Sequence, residues 1–301
     1  MPRIARMINP DEKTVYHLVC RTALSGFPFQ DAEKDEFIKI LSRYSRIYFT
    51  DMIGFCVMGD HFHLLVRMIP ERFFSDREVK KRYHQLYGDK SPLPVDDKDS
   101  DDGKRKGYPF FREKWSSLGK FMQEIQQTFS HHYNRQHNRR GTLWGARFKS
   151  VIVEDGHTLL NCLAYIDLNP VRAGIAATPG DYRWNTLGTH IRTKGRAGFL
   201  SLDFGLKELN SLNNKEKIEW YRRFVGEKAA GVPGDASPPG LPDRFTRRTR
   251  YFSDSGILGS REFVAANYQR HKHLFQSRNK KIPKRIRGLS DIYSMKRLAE
   301  P

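Results

Sequence analysis

Acidic residues are too few to balance the basic ones: 34 Asp and Glu stand against 53 Lys and Arg over 301 residues, a formal net charge of +19. That excess points to a polyanionic partner. Nucleic acid comes before membrane, because no basic amphipathic helix of the membrane-surface type stands out. Cysteine is scarcer still. Cys20, Cys56 and Cys162 lie far apart inside apolar segments, which excludes a disulfide framework or a cysteine zinc site and predicts buried, reduced thiols. Long hydrophobic runs are also missing, since no stretch approaches the roughly eighteen apolar residues that a spanning helix needs. The opening Met1-Pro2-Arg3-Ile4-Ala5-Arg6 has no apolar core for secretion. The expected setting is cytoplasmic and nucleoid-associated, with no membrane partner.

Against these absences stands the run Gly59-Asp60-His61-Phe62-His63-Leu64-Leu65-Val66. Apolar, β-forming residues precede and follow it, so it reads as a strand. On a strand, residues i and i+2 face the same way, so His61 and His63 project side by side. Two imidazoles on one rigid face make half of a divalent-metal site. About a hundred residues on comes Leu163-Ala164-Tyr165-Ile166-Asp167-Leu168-Asn169-Pro170-Val171-Arg172-Ala173-Gly174. Leu159, Leu160, Leu163 and Ile166 recur at helical spacing, and Pro170 ends that helix near Asn169. Tyr165 and Asn169, four apart, share one face with Cys162. An amide oxygen there can be a third metal ligand, with the phenol in reach of the same ion-bound substrate.

Three segments in this order resemble the single-tyrosine HUH transposases, in particular the REP-associated tyrosine transposases and their IS200-like relatives. They are Met58 to Val66, Gly141-Thr142-Leu143-Trp144-Gly145-Ala146-Arg147-Phe148-Lys149-Ser150, and Tyr165 to Gly174, and the likeness spans about residues 10 to 190. It implies the HUH endonuclease fold, with the histidines on a central strand. It also implies a metal-dependent single-stranded DNA endonuclease and strand transferase acting on hairpin, REP-like DNA. His61, His63 and Asn169 would hold Mg²⁺ or Mn²⁺, and Tyr165 would form a 5′-phosphotyrosine intermediate. Asp60 and Asp167 are candidates to support the ligands. Tyr133 with His137 is a rival tyrosine pair, ranked second because the Tyr-Ile-x-Leu-Asn-Pro-Val context belongs to Tyr165. Two other classes stay open: a non-catalytic hairpin DNA or RNA binder derived from a transposase, and a metal-dependent phosphodiesterase with no covalent step.

The element pattern agrees with that fold. Strands are expected at Tyr16–Cys20, Arg46–Met58, His61–Met68 and Phe148–Val153, with helices at Asp31–Tyr44, at about Lys114–His131 and around Tyr165. The order βαββαβα predicts an α+β, ferredoxin-like or RRM-like antiparallel sheet with helices on one side. Residues 1–190 form the expected catalytic domain, with an insertion at about 70–112. The insertion contains Asp96 to Gly103, too polar to bury. A connecting segment with a Pro/Gly-rich linker covers 191–243.

Beyond the linker, residues 244–301 hold fifteen Lys and Arg against four Asp and Glu, a net of +11 in 58 residues. They are expected to form a small, basic, helical nucleic-acid-binding region with one helix near Arg261 to Tyr268, since cationic clusters carry most nonspecific affinity for phosphates. The candidate DNA contacts are Arg135, Arg139, Arg140, Arg147, Lys149, Arg172, Arg247, Arg248, Lys284 and Arg285. Trp144 beside them offers an aromatic face for unpaired bases, or packs into the core. The expected partner is single-stranded or hairpin DNA, with the protein a monomer or homodimer.

Overall fold

In the computed structural model the chain is described over residues 6–92, 107–226, 251–275, 282–286, 289 and 291–295. The elements in chain order are β1 (Thr14–Arg21), α1 (Asp31–Ile47), β2 (Thr50–Val57), β3 (His61–Met68), α2 (Asp76–Tyr87), α3 (Gly107–Ser116), α4 (Leu118–Gln136), β4 (Lys149–Val153), α5 (His157–Asp167), the single turn α6 (Asn169–Arg172), α7 (Thr186–Thr193), α8 (Asn214–Phe224), α9 (Tyr251–Asp254), β5 (Ile257–Gly259), α10 (Arg261–Arg270), β6 (Lys284–Arg285) and β7 (Tyr293–Ser294). They build one seven-stranded sheet in the order β2-β3-β1-β4-β5-β7-β6. The first four strands are antiparallel, in the expected ferredoxin-like arrangement, and β3 lies between β2 and β1.

Alternation along β3 divides the two faces. Phe62 points to the face covered by α1 and α4, where its ring meets Phe37 at 4.6 Å and Phe37 meets Phe129 at 5.1 Å. His61, His63 and Leu65 point to the other face, where α5 lies. The two long helices thus cover one side as expected, while the Tyr165 helix packs on the opposite side. Gly54 permits that packing, because a Cβ there would stand 2.1 Å from Cδ1 of Leu163 on α5. At the far end of β3, buried Arg67 ties the loops to the sheet through Asp155 (2.7 Å), Asp203 (2.9 Å) and Asp51 (3.5 Å).

Several boundaries differ from expectation for local reasons. α1 runs on to Ile47, which is buried, so β2 starts at Thr50 rather than Arg46. Ser117 caps α4 by accepting from the Lys120 amide, which separates α4 from α3. The insertion's described flanks are helical, with α2 opened by a Ser75–Glu78 capping box. Its acidic stretch Asp96 to Gly103 lies outside the described residues.

The segment after the linker joins the same sheet. β5 pairs in parallel with β4, β7 pairs with β5, and β6 forms the edge. Val264 and Tyr268 of α10 are buried, so this helix spends its apolar face on packing.

Candidate nucleophile and metal-binding pocket

His61, His63, Tyr165, Asn169 and Arg172 line one cavity of about 460 Å³, together with Arg21, Arg147, Lys149 and Asp254. The His61 and His63 rings are 5.2 Å apart, and the Tyr165 ring stands edge-on to His63 at 6.0 Å. Helix α5 ends at Asp167, and Pro170 sits in the first turn of α6, where a missing N–H costs nothing. Despite that break, Asn169 remains beside Tyr165. Its amide nitrogen donates to the Tyr165 and Ile166 carbonyls at 3.2 and 3.0 Å, which leaves the amide oxygen as the acceptor end. Tyr165 is 3% exposed, its ring stacked on Phe252 at 4.8 Å with the Arg172 guanidinium 4.4 Å from its centroid.

Both histidines are held from behind. His61 Nδ1 pairs with Asp60 at 2.5 Å, and Arg21 binds the other Asp60 oxygen. Burial raises the Asp60 carboxyl, but the His61 hydrogen bond and the nearby cationic charge outweigh it, and the net shift is downward. His63 Nδ1 lies 2.9 Å from His17 Nε2, and His17 Nδ1 lies 2.6 Å from the Phe252 carbonyl. Burial pushes His17 down to about 4, so it is neutral at ordinary pH. Both pairings engage Nδ1 and leave Nε2 as each ring's remaining nitrogen. Among the described residues no three His, Cys, Asp or Glu gather into a metal-binding group. The donor set offered is therefore two imidazoles and one amide oxygen, and it fits a divalent cation that keeps water or substrate oxygens in its other positions.

The rival pair falls elsewhere. Tyr133 stacks on His137 at 4.2 Å and packs against Phe29 and Phe129, on the face of the sheet away from His61 and His63. His137 bonds Glu33 at 2.9 Å. Asp167 is also turned away from the pocket. Fully buried, it accepts from the Tyr221 hydroxyl at 2.8 Å and the Thr186 amide at 2.9 Å, and burial raises its carboxyl to about 7. Asp167 thus ties α7 and α8 to the end of α5. Asp60 does stand behind a pocket histidine.

The expected DNA contacts separate into groups. Arg147 is exposed and lines both the main cavity and a neighbouring groove of about 670 Å³ along α4. Lys149 is exposed but pairs with Asp254 at 2.6 Å. Arg135 and Arg140 are exposed near the end of α4, and Arg139 bonds Asn134 at 3.2 Å. Lys284 and Arg285 are exposed on β6. Five strand steps separate them from the histidines, roughly 24 Å at about 4.8 Å each. Arg247 and Arg248 lie outside the described residues. Trp144 packs among Phe29, Phe62 and Phe129, and its indole N–H donates to the Gln126 carbonyl at 3.0 Å.

Sequence reasoning missed His17, Arg21, Phe252 and Arg6. A histidine inside the otherwise apolar run Tyr16 to Cys20 was the one signal for His17. The β1–β3 register sets Val19 opposite His63 and Leu65 opposite His17, which makes His17 a diagonal neighbour of His63. Arg6 lies over the Phe148 ring at 3.6 Å, and burial followed by the nearby Arg147 charge lowers it to about 10. No sequence pattern pointed to Phe252.

This α+β sheet, with a His-x-His strand facing a tyrosine helix, is the setting for the comparison with known proteins. Residues 11–86, spanning β1 to α2 and both histidines, match the family model of the IS200-like transposases. The chain is also similar to a solved structure described as the REP-associated tyrosine transposase bound to a REP hairpin, with 12% identity, coverage of 69% of this chain and 93% of that one, and a TM-score of 0.43. No curated protein matches the chain. Among the described residues, no helix is long and apolar enough to cross a membrane.

Proposed function

We propose that this protein is an HUH-type tyrosine transposase that cuts and rejoins single-stranded DNA carrying a hairpin, working in the cytoplasm on the nucleoid. One observation carries the reading: His61, His63, Tyr165 and Asn169, drawn from β3, α5 and α6, line a single cavity. His61 Nε2, His63 Nε2 and the Asn169 amide oxygen would hold Mg²⁺ or Mn²⁺. A divalent cation there supplies Lewis-acid polarisation of a phosphate oxygen and offsets charge developing on phosphorus.

The remaining chemistry belongs to the side chains. The Tyr165 phenol oxygen attacks the phosphorus and gives up its proton, a 5′-phosphotyrosine forms, and the 3′-oxygen leaves as a hydroxyl. The covalent bond stores the phosphodiester energy, so rejoining needs no nucleotide cofactor. Arg172 keeps positive charge against the tyrosine ring. Arg147 offers a second charge where the cavity meets the α4 groove, whose polar side chains Gln123, Gln127 and Asn134 suit unpaired nucleotides.

The burial of Tyr165 beneath Phe252 favours a second reading, a hairpin DNA or RNA binder with no cleavage. Trapping decides between them. Incubating the full chain with Mn²⁺ and a single-stranded hairpin oligonucleotide should give a slow-migrating covalent species on a denaturing gel. Binding without any adduct supports the second reading, and cleavage without an adduct supports a phosphodiesterase.

A further inference from the structure

We propose that His17 and the backbone carbonyl of Phe252 form a hydrogen-bond relay that locks His63 in the tautomer with its proton on Nδ1 and its lone pair on Nε2. The inference rests on the reading of His63 as a metal ligand, and makes His17 a positioning residue for it. A carbonyl oxygen can only accept, so the 2.6 Å contact to Phe252 puts the hydrogen of neutral His17 on Nδ1. His17 Nε2 then holds a lone pair. The 2.9 Å contact to His63 Nδ1 requires a hydrogen between the two nitrogens, and His63 must supply it. With its proton on Nδ1, neutral His63 carries its ring lone pair on Nε2.

The surroundings leave the relay little freedom. Both imidazoles are buried, lie end to end with centroids 5.1 Å apart and planes 16° apart, and meet the Tyr165 ring edge-on. His61 reaches the same state through Asp60. Its partner is a carboxylate, which accepts without needing a tautomer of its own. His63 instead depends on a carbonyl from beyond the linker, so the C-terminal segment contributes to the pocket through its backbone. Partners of this kind behind a metal-bound histidine typically change metal affinity by about 10- to 100-fold.

The test uses the full chain with isotope-labelled histidine at pH 7.5, beside His17→Gln and His17→Leu. Imidazole ¹⁵N shifts should show His63 protonated on Nδ1 in the wild type. His17→Gln should keep that state, because an amide can donate to the carbonyl and accept from His63. His17→Leu should release His63 to the Nε2-protonated form, the commoner one in water. Calorimetric Mn²⁺ titration should then find affinity within about threefold for His17→Gln and weakened roughly tenfold or more for His17→Leu. An Nε2-protonated His63 in the wild type overturns the relay, as does a folded His17→Leu with wild-type tautomer and affinity. If His17→Leu does not fold, the tautomers of the wild type and His17→Gln still decide. A wild type with the expected tautomer and no Mn²⁺ binding sinks the metal reading and leaves the relay standing.

Discussion

Tyr165 and Phe252 stack face to face, 4.8 Å between ring centroids and 24° between planes. The tyrosine comes from α5 and the phenylalanine from beyond the Pro/Gly-rich linker, so the candidate nucleophile is held by a segment that looked in sequence like a basic appendage.

Replacing Tyr165 with Phe removes one hydroxyl and keeps the ring contacts to Phe252, His63 and Arg172. The covalent adduct with a hairpin oligonucleotide should fall to background while DNA affinity stays within about twofold. Adduct formation that survives Tyr165→Phe and disappears in Tyr133→Phe would transfer the role to Tyr133.

The double substitution His61→Ala, His63→Ala should abolish Mn²⁺ binding and cleavage with circular dichroism unchanged. Asn169→Ala should weaken both by less, because water can replace one neutral oxygen ligand. Metal-dependent cleavage by the double variant at the wild-type rate would refute the site.

A chain ending at Glu227 loses β5 and the two hydrogen bonds that join it to the β4 edge, from the Ile152 amide to the carbonyl of Gly256, just before β5, and from the Glu154 amide, just after β4, to the Leu258 carbonyl. It also loses the Phe252 ring and carbonyl. It should melt lower than the full chain and bind Mn²⁺ more weakly. Phe252→Ala alone should cost about 3–5 kcal/mol, the range for emptying a buried aromatic site. Equal melting temperatures for both chains would show that the segment does not support the sheet.

Arg147→Ala should lower the slope of log affinity against log salt by about 0.7 for single-stranded DNA, the change expected when one phosphate is no longer neutralised. Lys284→Ala with Arg285→Ala tests whether DNA reaches the edge strand. An unchanged slope in that pair would take β6 out of the DNA path.

Asp167 gives a pH prediction. Burial raises its carboxyl from an unfolded value of about 4 to about 7. Between those values the folded state binds more protons than the unfolded one. Its contribution is therefore fully present below about pH 4 and is lost as pH rises through about 7. Denaturant titrations should find the stability of wild type relative to Asp167→Asn falling from pH 5 to pH 7.5. A difference that rises or stays flat would contradict the raised carboxyl.

What the sequence determined by itself is local. The His-x-His run fixed two imidazoles on one strand face because a strand repeats every two residues. The spacing of Tyr165 and Asn169 placed both at one helix end, although Pro170 opens a new turn there. The order of elements gave the four-stranded antiparallel unit, since each period and turn signal is written within a few residues. Tertiary structure alone decided which face received α5, because Gly54 permits Leu163 a close approach that no local pattern encodes. It alone buried Asp167 away from the pocket, moved Tyr133 to the other side of the sheet, and carried Phe252 across the linker onto Tyr165 and His17. Those contacts join residues distant in sequence, and their partners are selected by packing and by the need of buried polar groups for hydrogen bonds.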